Sequence, residues 1–171
     1  MNSNSTILTA KEKYGFTDQE TIALIVATKD GVLNLEKVAQ RPADRFSKFI
    51  RKNREELSAI LGIQDSIWAA AENQTYTAET EQKLNDIRYR QVGKFVIMKV
   101  IVHILVECVS FKQDPSIALT KIKLAVNLFE PLPDFQGDGE VDKDKYLADQ
   151  ITDKEVRRIE EYLGVRSLEG R

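Results

Sequence analysis

The chain has one cysteine, one histidine and one tryptophan in 171 residues. A single cysteine, Cys108, excludes an internal disulfide framework and predicts a reducing, cytoplasmic setting. The lone histidine, His103, leaves no Cys/His cluster with zinc-ligand spacing. Glycine and proline number only eight and four, which argues against a turn-rich sandwich or barrel and favours helices. Neither sign of charge prevails. The net charge is −2, so affinity for nucleic acid has to come from a local patch. There is no phosphate-binding glycine loop, no serine-centred elbow, no base-stacking platform of aromatics, no internal repeat and no low-complexity tract. Residues 1–13, MNSNSTILTAKEK, lack the charged start and apolar core of a secretion signal. They are predicted to be a flexible N-terminal tail.

What is present is the composition of a soluble globular protein, 42% hydrophobic and 30% charged. The length suits one domain with a real core, here residues 14–171. The most apolar stretch is VGKFVIMKVIVHILVECVSF, residues 92–111. Lys99, His103 and Glu107 interrupt it at intervals of four, a spacing that shares one face on a helix or on a strand. The many valines and isoleucines favour a strand. The length, with no turn residue inside it, favours a helix, and a buried helix with a thin polar seam is predicted. Charges near its middle exclude a membrane span. Glu107 and His103 are expected to pair along the helix surface.

Other helices follow from their end signals. Thr17 and Glu20 have capping-box spacing and open a helix over 18–29, which Asp30-Gly31 ends. Asn34 caps a brief helix over 35–40. Pro42 suits the first turn of a helix over 42–61, in which Phe46, Phe49, Ile50, Leu57, Ile60 and Leu61 form one stripe and Gly62 is the stop. Asp65 caps a helix over 66–72 that carries Trp68. A helix from Thr77 is expected to run unbroken into the central stretch, with Gly93 as its weak point. Asp114-Pro115 starts the next, and Pro131 and Pro133 end it. An acidic loop is predicted at 131–150. It precedes a C-terminal helix at 153–163, opened by a Thr152/Glu155 capping box and closed by Gly164. The predicted fold is all-α, an irregular bundle of six or seven helices around the central hydrophobic helix.

Two charged segments bear on function. Residues 37–54 hold seven basic residues and one acid, a local net of +6. Arg41, Arg45, Lys48, Arg51 and Lys52 are predicted to form a contact surface. Residues 35–40 and the helix after them have a helix-turn-helix outline. Ala43 stands where the turn wants glycine and Pro42 precedes it, so that motif is not assigned. Residues 134–155 hold eight acids and three bases, a net of −5. From Asp134 the segment resembles an EF-hand calcium loop, with acids at positions 1, 5 and 9 and glycine at 6. Lys145 at position 12, where a bidentate Glu belongs, repels a metal, so no metal site is expected. Segments of opposite charge also suit head-to-tail self-association.

These observations predict a non-enzymatic protein that acts as an assembly, adaptor or structural subunit in a larger complex. Its expected partner is another protein or a second copy, with no cofactor, no membrane and no small-molecule substrate. The alternative is a nucleic-acid-binding protein or regulator using the same basic helix. An enzyme built on Lys99, His103 and Glu107 is the third reading, and the histidine has no adjacent nucleophile in sequence.

Overall fold

In a computed structural model the described residues are 8–38, 45–128 and 141–165. All regular structure among them is helical, as predicted. The elements are α1 (Ala10–Tyr14), α2 (Asp18–Val38), α3 (Arg45–Leu61), α4 (Asp65–Glu72), α5 (Ala78–Arg90), α6 (Val92–Ser110), α7 (Pro115–Leu128) and α8 (Val141–Leu163). The central stretch is α6. It is hydrophobic on most sides because α2, α5, α7 and α8 all pack against it. Val100, Ile101 and Ile104 are closed off from solvent on this helix. Around it, α3 lies mainly on α7, and α4 lies on α2.

Five boundaries differ from the sequence prediction, each for a physical reason. Residues 10–13 belong to α1 rather than to a tail. Thr9 Oγ1 accepts from the Glu12 amide at 3.1 Å and caps the helix, and Ala10 and Tyr14, four apart, bury one face. The helix over 18–29 does not stop at Asp30-Gly31. One helix, α2, runs on to Val38 and takes in residues 35–38 of the brief helix expected at 35–40, whose last two residues lie outside the described ones. An internal glycine costs about 1 kcal/mol but does not end a helix whose hydrogen bonds continue. Lys29, expected at the end, instead donates to the carbonyls of Glu72 and Gln74 and ties this turn to α4.

The α5–α6 junction breaks at Gln91 (φ −131°, ψ 65°), while Gly93 lies buried within α6. Asp65 is the first residue of α4 rather than its cap, and the capping position, Gln64, makes no side-chain bond. The last difference is the largest. α8 begins at Val141, so the second half of the expected loop at 131–150 is helical. Thr152 is consequently no cap: it lies inside α8 and fully buried. A contact of 2.6 Å between Arg88 of α5 and Asp149 holds this part of α8 on the bundle.

Several predicted ends are found. Thr17 and Glu20 form the reciprocal capping box, at 3.1 and 2.8 Å. Thr77 Oγ1 accepts from the Thr80 amide, and Asp114 Oδ1 from the Ser116 amide. At Gly62 (φ 74°) the amides of Gly62 and Ile63 both close on the Ser58 carbonyl. The ends expected at Pro131 and Pro133 lie outside the described residues.

Candidate functional site: the exposed face of α3

α3 is amphipathic by spacing. Ile50, Leu57 and Leu61 recur at seven and four residues and are buried against the bundle. That register turns Lys48, Arg51 and Lys52 to solvent. Of the predicted contact residues, these three share the exposed side of one helix. Arg45 is the first residue of α3, its side chain outside the described residues, and Arg41 lies wholly outside them.

The next turn of the same face carries Glu55 and Glu56, also exposed. They stand four residues after Arg51 and Lys52, so the face is a basic turn followed by an acidic one. Lys52 lies near the start of α7. There the Asp114 carboxyl is held below the ordinary carboxylate range, first by hydrogen bonds from the Ser116 amide and hydroxyl and further by the Lys52 charge. Beside this face a groove of about 440 Å³ runs between α3 and α7. Leu8, Ala59, Ile60 and Leu119 supply its apolar lining, and Glu56 and Lys123 bring one charge of each sign.

The polar side chains of α6 reach three neighbouring helices. Lys94 donates to Glu20 at 3.0 Å and to the Gly15 carbonyl. His103 Nδ1 meets Glu160 Oε1 of α8 at 2.5 Å. Glu107, with no exposed surface, accepts from Lys121 of α7 at 3.0 Å. Lys94 thus ties α6 to α2, while the seam ties it to α8 and α7 through His103 and Glu107, and Lys99 of the same seam is half-buried. Among the described residues no three His, Cys, Asp or Glu side chains form a metal-binding group. No described helix is long and apolar enough to cross a membrane.

Arg54 was grouped with the basic segment but does not join the exposed face. It pairs with Glu72 of α4, and its guanidinium lies 5.5 Å from the centre of the Trp68 ring. Spacing carries the signal for this: Arg54 is four after Ile50 and three before Leu57, on the buried stripe. Trp68 is held in turn by its indole N–H, which donates to Ser58 Oγ at 2.6 Å.

Comparison with protein-family models found no match, and comparisons with curated protein sequences and with solved structures found no significant similarity.

Proposed function

We propose that the chain is a non-enzymatic helical protein that works by binding, as an assembly, adaptor or structural subunit, and that the exposed face of α3 contacts a protein partner. The observation that carries this reading is the alternation of charge on that face. Lys48, Arg51 and Lys52 are followed one turn later by Glu55 and Glu56. A helix that tracks phosphates gains from each cation that displaces a counterion, and carboxylates in its path oppose that gain. A protein surface with the complementary pattern meets both turns, and charge complementarity of this kind sets register and partner choice. The adjoining groove supports the same reading, because an apolar centre edged by polar groups is the usual anatomy of a protein interface.

The test is the mass of the purified particle before and after nuclease treatment, with its ultraviolet absorbance ratio. The expected result is a particle whose mass and absorbance nuclease leaves unchanged. Co-purified nucleic acid, lost on digestion, would replace this reading with the nucleic-acid one.

A further inference from the structure

We propose that the protein partner of α3 is a second copy of this chain, docked with its own α3 antiparallel about a two-fold axis between Lys52 and Glu55. The proposal rests on the reading of this face as a protein contact and names its occupant. Arg51, Lys52, Glu55 and Glu56 carry it. All are exposed, and the two signs occupy consecutive turns. The Lys52 charge reaches Asp114, yet none of these side chains forms an ion pair with a described residue. Within α3 each cation precedes its acid by four residues, the less favourable order for a pair along one helix.

The pattern complements itself. Lys48, Lys52, Glu55 and Ala59 advance by four, three and four residues, so they form one outward stripe opposite Ile50, Leu57 and Leu61. A two-fold axis that reverses the helix brings Lys52 level with Glu55 of the other copy and Lys48 level with Ala59. Lys52 of each copy then meets Glu55 and Glu56 of the other, and Arg51 meets Glu55, on both sides of the axis. A parallel pairing would set like charge on like, which is costly across an interface. The small Ala59 leaves room for the apolar stem of Lys48. Beside the stripe the α3/α7 groove, with Leu8 and Ile60 in its lining, supplies an apolar part. The stripe spans only about 17 Å of helix. That is short of what a permanent dimer buries, so the dimer is weak and salt-sensitive.

The purified full chain is taken through sedimentation equilibrium from about 1 μM to about 1 mM, at low and high salt. Wild type should pass reversibly from monomer to dimer, and raised salt should weaken the dimer about tenfold. Arg51→Glu/Lys52→Glu makes both turns acidic, and Glu55→Lys/Glu56→Lys makes both basic. Each variant should melt close to wild type and stay monomeric alone. An equimolar mixture of the two should form a one-to-one dimer at least as tight as wild type. Neither an unfolded variant nor a face that binds only some other protein gives that rescue. The proposal is overturned if wild type stays monomeric at about 1 mM, if either variant alone dimerises as wild type does, or if the mixture stays monomeric. A monomeric wild type that still joins a larger particle through α3 in nuclease-treated extract would overturn the second copy as partner and leave the protein-contact reading standing. Absence of both particles would remove that reading as well.

Discussion

Glu107, which no solvent reaches, meets Lys121 Nζ at 3.0 Å, and that contact ties α6 to α7. Lys121 also donates to the Gly164 carbonyl at the end of α8, so one ammonium joins three helices. Removing one partner of a buried pair withdraws a counter-charge from the other, at a cost of about 3–5 kcal/mol. Lys121→Met is therefore expected to lower the unfolding free energy by about that amount in urea titrations. The double variant Lys121→Met/Glu107→Gln should recover most of the loss. A loss below about 1 kcal/mol in Lys121→Met would contradict the pairing.

The existence and order of the helices around α6 were legible because apolar spacing and cap chemistry are local. Thr17/Glu20, Thr77 and Asp114-Pro115 each announce a start within four residues. Pair partners were not legible, because they depend on which helix arrives opposite. The spacing of His103 and Glu107 along α6 is visible in the sequence, but Glu160 and Lys121, which also meet them, come from elsewhere in the chain. Burial around α6 was legible only in outline: Val102 reads as core from its neighbours but is only partly buried, whereas Ile101 and Ile104 are closed off. The start of α8 was hidden because acidic residues with two glycines read as a loop. A helix accepts acids in its first turn, and the contact from Arg88 to Asp149 is visible only in three dimensions. Of the candidate site, the basic residues of α3 were legible and the acidic turn beside them was in plain view. The inward turn of Arg54 required the helix register.

Gly62 is fixed by two demands. Its φ of 74° disfavours any side chain, and an added Cβ would lie 2.8 Å from Thr9 Oγ1, the cap of α1. Gly62→Ala is expected to destabilise the fold by about 1–3 kcal/mol. Gly164→Ala serves as the control, since its φ is similar and its added Cβ meets nothing within 4 Å. Thermal melts of the two should show the larger loss at Gly62. Equal losses would mean that the contact with α1 contributes nothing.

Burial pushes the Cys108 thiol from its ordinary 9.0 up to about 11, with the charges of Glu107 and Asp114 adding to the rise and Lys121 opposing it. The folded state thus keeps a proton that the unfolded state releases above pH 9.0. The resulting stabilisation is complete below that pH and is lost as pH climbs towards about 11. In denaturant titrations across this window, wild type should lose about 2 kcal/mol more than Cys108→Ala. Parallel curves for the two proteins would rule out the buried thiol as the source.

The central claim is that the exposed face of α3 binds protein. It is tested most directly by sedimentation of labelled wild type and of the Lys48→Glu/Arg51→Glu/Lys52→Glu variant. Both are measured pure and in nuclease-treated extract of the native cells, at low and high salt. Exposed charges are screened over about 8 Å at physiological ionic strength, so contacts made by this face weaken as salt rises. Wild type is expected to sediment as a particle larger than one 19.5 kDa chain, in a salt-sensitive way, and the variant as a single chain with unchanged melting. Identical sedimentation of the two proteins under every condition would contradict the account.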